Sequence, residues 1–228
     1  MRDRFMTEIL DVVDENDNVI GKATREEIHT SGMWHRGVHV LVFDSQERLL
    51  LPVRSLTKDK FPNTYDCSVS EHVKTGETFE EAATRGLREE LGIVKPKLQR
   101  IVKFRMSYGT NDNTIAVLYK CRYSGKMKAD KMEIKSMNFI PLGEVKKLLL
   151  MEEHKFAPWT RELLKRYLGM PSKIEEMSSG ERRGICSKRE KCLWHPGMKC
   201  LFPDKPCIFC KIEKEQQKHG CFRALGKK

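Results

Sequence analysis

One bracketed helix constrains this chain more than any other feature. Thr78-Phe-Glu-Glu81 has the capping-box pattern, in which the threonine hydroxyl and the glutamate carboxylate accept each other's backbone N–H groups. Gly92 stands where a helix ends, because glycine takes the left-handed conformation without a Cβ penalty. The pattern predicts a helix over residues 79–91, and the helical period sorts its side chains. Residues 86, 89 and 90 share a side with Ala82 and Ala83, while Glu80, Glu81, Thr84 and Arg88 point away. Glu89 and Glu90 therefore stand together on a face kept small one turn earlier. Adjacent carboxylates repel, so the pair asks for a cation, and hard oxygen donors suit Mg²⁺ or Mn²⁺. Such an ion neutralises a diphosphate and orients a water for in-line attack. The plainer alternative is a solvated acidic helix end, and residues outside the helix decide between the two.

Around this helix, short β-rich runs alternate with amphipathic segments. Glu8–Asp14 and Val19–Lys22, joined by the Asn/Asp turn at Glu15–Asn18, predict a hairpin. Val38–Phe43 and Leu49–Val53 are buried-strand candidates on either side of a turn at Asp44–Glu47. Ile115–Tyr119 and Asn138–Ile140 read as further strands, Leu142–Met151 as a helix, and Pro158 opens a last helix through Tyr167. The order is α/β with no internal repeat. With 228 residues, 39% of them hydrophobic, the chain can bury one full core and carry a smaller module.

That module announces itself by composition. From Lys173 onward 14 Lys and Arg face 7 Asp and Glu, so the tail supplies +7 of the formal net charge of +11. Gly169-Met-Pro-Ser172 through Ser178-Ser-Gly180 reads as a linker, which divides the chain into a domain at 1–170, a linker at 171–184 and a Cys/His-rich module at 185–228. Cys186, Cys192, His195, Cys200, Cys207, Cys210, His219 and Cys221 would satisfy a pair of tetrahedral Zn²⁺ ions. So short a segment with few aliphatic residues can hardly fold by burial alone, so a metal staple is expected. Disulfides and an iron–sulfur cluster are the alternatives. Basic residues interleaved with Trp194, Phe202, Phe209 and Phe222 would suit contact with nucleic acid, and a protein-docking appendage is the competing reading. No run approaches the roughly 20 apolar residues of a membrane span, and no apolar leader follows the charged opening Met1–Arg4. A soluble cytoplasmic protein without a membrane partner is the resulting expectation.

The stretch from 71 to 93 resembles the Nudix box, a fixed spacing of Gly, Glu, Arg-Glu, an aliphatic residue, Glu-Glu, Gly and a final aliphatic. Glu77 takes the first Glu, Arg85 the Arg, Leu87 the aliphatic, Glu89-Glu90 the acidic pair and Gly92-Ile93 the end. Two positions depart from it. Glu71 stands at the opening Gly, and Gly86 stands where a Glu follows the Arg. A mid-helix glycine costs about 1 kcal/mol against alanine, so Gly86 needs a reason. In many family members the Glu replaced here ligates metal or serves as base. The resemblance implies a Nudix α/β/α sandwich with a mixed sheet, dependence on Mg²⁺ or Mn²⁺, and a small-molecule diphosphate substrate.

Outside the box, residues 1–170 resemble the isopentenyl-diphosphate-isomerase-like branch. Arg54, Lys58 and Pro62 match the segment that grips the diphosphate there, Arg as a planar fork and Lys as a point charge. His29, His35 and His72 fall where the isomerases hold a divalent metal, and Phe156-Ala-Pro-Trp159 is similar to their Phe-Ser-Pro-Trp segment. The isomerase acid and base are missing. Ser70 occupies the Cys position and Thr114, in Asp112-Asn-Thr114, that of the second Glu; Cys67 does not share the strand alternation of Ser70. Hydroxyls replace titrating groups poorly in proton transfer. The resemblance thus implies a hydrolase cleaving a diphosphate linkage in a nucleoside, sugar or prenyl diphosphate. Glu77, Glu89 and Glu90 would be catalytic, Glu71, Glu89, Glu90, His29, His35 and His72 would hold metal, and Arg54, Lys58 and Arg85 would bind the diphosphate. An isomerase-type enzyme and a non-catalytic diphosphate binder are the alternatives.

Overall fold

A computed structural model describes residues 8–177. The Cys/His-rich module expected at 185–228, with all its zinc ligands, lies outside the described residues. Two of the strands form the expected hairpin, β1 (Ile9–Val13) against β2 (Val19–Thr24), with Asp14 accepting the Asn16 and Asn18 backbone N–H groups inside the turn. A helix that the sequence reading passed over follows directly, α1 (Arg25–Ser31), with a capping box at Thr24 and Glu27 and a left-handed Gly32 at its end. Its seven residues are too few to display a hydrophobic period, but the cap pattern is the same as that at Thr78.

The sheet is built outward from β3 (His35–Phe43). This strand runs parallel to β7 (Asn113–Arg122) in continuous register from His35↔Thr114 to Phe43↔Arg122. Along its other side β3 meets three strands in succession: β1 at Val12↔His35, the short β5 (Val69–His72) over Gly37–Val40, and β4 (Leu49–Arg54) only at Phe43↔Leu49. β4 turns away to pair β8 (Ile134–Ile140), which leaves a gap between β4 and β5. β6 (Gln99–Ser107), not anticipated from the sequence, is antiparallel to β7, and a two-residue β9 (Glu175–Glu176) pairs β6. The parallel β3/β7 pair among antiparallel neighbours makes the sheet mixed. The start of the stretch read as a linker is therefore ordered, with Ile174 packed on the core and the Lys173 N–H donating to Glu162.

Strand alternation assigns each face a layer of helix. Val38, Val40 and Val42 of β3 pack with Ala82, Ala83 and Leu87 of α2 (Phe79–Leu91), whereas Leu41 and Phe43 pack with Leu149 of α3 (Leu142–Met151) and Leu163 and Leu164 of α4 (Pro158–Tyr167). Fully buried Leu87 and Leu91 each stabilise the docking of α2 by about 2 kcal/mol. The result is the α/β/α arrangement expected. Among the described residues no helix is long and apolar enough to cross a membrane.

Candidate active site

The capping box at Thr78 and Glu81 and the left-handed Gly92 (φ 70°) fix α2 where the sequence placed it. On its inner side Arg85 organises the acidic residues. Its Nε and Nη2 donate to the two Glu77 carboxylate oxygens at 2.8 and 3.0 Å, Nη2 also to the His72 carbonyl at 2.8 Å, and Nη1 to Glu71 Oε2 at 2.9 Å. Glu77 also accepts the Lys74 N–H, so Arg85 and Glu77 tie the loop before α2 to β5. Glu89 lies 3.9 Å from Arg85 and 3.6 Å from Arg88. Gly86 faces β5 directly: a Cβ there would stand 2.7 Å from Glu71 Cγ and 2.7 Å from Val69 Cγ1.

Glu90 points to a pocket at the gap between β4 and β5, whose walls include Arg54, Lys58, Asp66, Ser70 and Glu133. Burial, and then the carboxylates of Glu71, Glu133 and Asp66, push the Glu90 carboxyl well above the usual carboxylate range; Lys58 pulls the other way. A carboxylate opposed by three others is one that a divalent cation would relieve, and the donor set is hard oxygen, so these residues fit Mg²⁺ or Mn²⁺. Lys58 Nζ donates to Glu133 at 2.6 Å. Arg54 donates to Asp66 and to the carbonyls of Lys60 and Phe61, and its guanidinium lies 5.2 Å from the Trp159 ring centre. Each of its Nη atoms keeps a second N–H for a ligand.

Asp66, which the sequence reading did not single out, holds this wall together. Its Oδ1 accepts from the Trp159 indole at 2.6 Å, the Thr160 hydroxyl at 2.8 Å, the Cys67 N–H at 2.7 Å and the Ser70 hydroxyl at 3.1 Å. Burial alone would raise its pKa, but Arg54 and the Thr160 and Trp159 hydrogen bonds hold it below the ordinary value. The one sequence signal was the Phe156–Trp159 segment, whose tryptophan meets Asp66 only through the fold.

The other face of β5 carries a different chemistry. His29 from α1, His35 from β3 and His72 from β5 bring one ring nitrogen each to within 4.8 Å of the others. His29 Nε2 and His72 Nε2 are 3.3 Å apart, and His35 Nε2 is 3.4 Å from Thr114 Oγ1. The buried His29 Nδ1 has no hydrogen-bond partner, with Asp112 Oδ1 just out of reach at 3.6 Å. Burial is the main reason that His29 is lowered to about 4 and His35 to about 3, so both are neutral near pH 7. Neutral imidazole is the ligating form, and the three gathered rings, with an unpartnered nitrogen on His29, fit a divalent transition metal.

Next to this cluster, His39 Nδ1 lies 3.0 Å from Ser70 Oγ and His39 Nε2 lies 3.2 Å from the Tyr108 hydroxyl. Since Ser70 donates to Asp66, the network assigns the proton to His39 Nδ1, with Ser70 accepting it. The Ser70 proton is thus turned toward Asp66. Cys67 is buried against Thr160 of α4, and burial raises its thiol.

Comparisons with known proteins bear on the family and the fold. The model of a family described as NUDIX domain matches residues 33–167. Nudix hydrolase SCO1686 of Streptomyces coelicolor, itself uncharacterized, is 35% identical over 152 residues, covering 66% of this chain and 83% of its own. Isopentenyl-diphosphate Delta-isomerase 2 of Photorhabdus laumondii is 30% identical over 163 residues, covering 70% of this chain and 92% of its own. Among solved structures, DR0079 of Deinococcus radiodurans superposes with a TM-score of 0.59 at 28% identity, over 70% of this chain and 98% of that one.

Proposed function

The chain belongs to the Nudix family, and from that premise we propose that it hydrolyses a diphosphate linkage in a nucleoside, sugar or prenyl diphosphate. The carrying observation is that Glu90 shares one pocket with Arg54 and Lys58, so a cation-binding carboxylate and two anion-binding side chains face the same space. Nudix enzymes generally use Mg²⁺ or Mn²⁺, and in this chain Glu89 and Glu90 would hold the ion, with Glu71 beside them. The ion, when bound, supplies charge neutralisation and an acidified water. Arg54, fixed by Asp66 and Trp159, offers its remaining N–H groups to a phosphate, and Lys58 adds a mobile charge. Arg85 and Glu77 act at one remove, by orienting Glu71 and the loop before α2. The tail's Cys and His residues would take Zn²⁺, which metal analysis of the purified full chain would check.

The gathering of His29, His35 and His72 favours a second reading, an isopentenyl-diphosphate-isomerase-type enzyme with a metal on that face. Against it stand Ser70, whose proton goes to Asp66, and Thr114 at the base position. One experiment tests both. Metal-free and Mg²⁺- or Mn²⁺-loaded protein is incubated with a panel of nucleoside and prenyl diphosphates while phosphate release and isomer ratio are followed together. Metal-dependent release is the expected result. Isomer formation would replace the hydrolase reading, and binding without turnover would make the chain a diphosphate-binding protein on this fold.

A further inference from the structure

Both departures from the box lie on the same contact. β5 alternates, so Val69 and Glu71 turn toward α2 while Ser70 and His72 turn toward the histidines. The Glu71 side chain crosses Gly86 so closely that any Cβ at 86 would sit 2.7 Å from its Cγ. Gly86 lies within α2 and has no positive φ, so the backbone there does not require glycine; the space does. Arg85 holds the Glu71 carboxylate at 2.9 Å, and of the charged groups acting on Glu90 it is Glu71 that acts most strongly.

We propose that Glu71 and Gly86 are a single exchange: the carboxylate that the box places after its arginine is delivered in this chain from β5 by Glu71, as a metal ligand beside Glu90. A strand residue thereby replaces a helix residue through space, and the glycine is the room it needs. This inference rests on the reading of Glu90 as a metal ligand, so the test must separate the two.

The probe is Mn²⁺, titrated into the full chain with free ion read by electron paramagnetic resonance, alongside thermal melting of the metal-free protein. Other sites that take Mn²⁺ are common to all variants, so differences report on this one. Glu71→Gln, nearly isosteric, is expected to weaken the site by about tenfold or more, since losing even an outer-shell partner of a metal costs about 10- to 100-fold. Val69 Cγ1 also crowds position 86, so the exchange is built on V69A. V69A/E71G should lose the affinity and V69A/E71G/G86E should regain most of it. Gly86→Ala alone should lower the melting temperature by forcing Glu71 aside. Parental Mn²⁺ affinity in Glu71→Gln, together with a loss in Glu90→Gln, would overturn the exchange and leave the reading of Glu90 standing. Loss in Glu71→Gln with parental affinity in Glu90→Gln would overturn the reading of Glu90 and, with it, the exchange as stated. Equal affinity in V69A/E71G and a folded V69A/E71G/G86E would also overturn it.

Discussion

On one face of β5, Glu71 meets Arg85, Gly86 and the carboxylates of α2; on the other, Ser70 and His72 meet imidazoles from β3 and α1. Four residues thus separate a hard-oxygen set from a nitrogen set by strand alternation alone, and a register slip of one residue would exchange them. The two sets also differ in what they need. The carboxylates are like charges pressed together, with Glu90 raised by its neighbours, so that face is under electrostatic load until a cation arrives. Of the imidazoles, His29 and His35 are held neutral near pH 7 mainly by burial, so their side carries no comparable load. Both faces reach the gap between β4 and β5, where Ser70 and Glu90 line the same pocket.

The largest expected effect sharpens that contrast. Glu90→Gln should lower metal-dependent hydrolysis by roughly 10³-fold, about 4 kcal/mol of transition-state stabilisation. The same variant should melt at a higher temperature than the parent when both are metal-free, because a carboxylate opposed by Glu71, Glu133 and Asp66 has become a neutral amide. A lower melting temperature would show that the carboxylate face carries no such load and would break the comparison.

Asp66→Asn comes next, at a cost of about 3 kcal/mol in urea denaturation, because it leaves the largely buried Arg54 guanidinium without its counter-charge. Since Arg54 then loses its anchor, KM for a diphosphate substrate should rise more than kcat falls. Equal losses in both would mean that Asp66 supports the fold without positioning Arg54. His72→Asn should have a smaller effect, weakening retention of a divalent transition metal by about 10- to 100-fold in competition with a chelator. If it instead removed hydrolysis as completely as Glu90→Gln, the two faces of β5 would form one centre.

What could be read from the sequence followed local pattern. α2 was legible because its caps, period and acidic pair all lie within one short stretch, and the histidines were legible through the resemblance of the segments around them. Asp66 was not, since its partners Arg54, Trp159 and Thr160 come from other segments and converge only in the fold. β6 escaped because Arg, Lys and Ser interrupt its apolar positions, although Val102, Phe104 and Met106 do alternate inward. The reason for Gly86 was hidden for the same cause as Asp66. A missing Cβ carries no sign of what fills its place, and Glu71 arrives from β5, outside the helix.

A further effect is the one in which the two faces act with opposite sign. His35 and His39, each under a tenth exposed, are lowered by burial from 6.5 to about 3 and about 4. The unfolded chain therefore takes up protons first as the pH falls. Their contribution is fully present above about pH 6.5 and is lost between 6.5 and 4, at about 1.4 kcal/mol per pH unit for each histidine. The raised Glu90 works in the other direction: its contribution is present at low pH and is lost as the pH rises through its folded pKa. Asp66, lowered from 3.8, gives way only below that value and so stays out of both windows. Urea stability in chelator across pH 4 to 8 should accordingly fall at both ends. Changing His39 to Gln, outside the metal-fitting cluster, should roughly halve the slope of the acid side alone because His35 keeps its share, and Glu90→Gln should flatten the other side alone. A single variant that flattened both sides would mean that the alternation of β5 does not insulate the two sets of charges from each other.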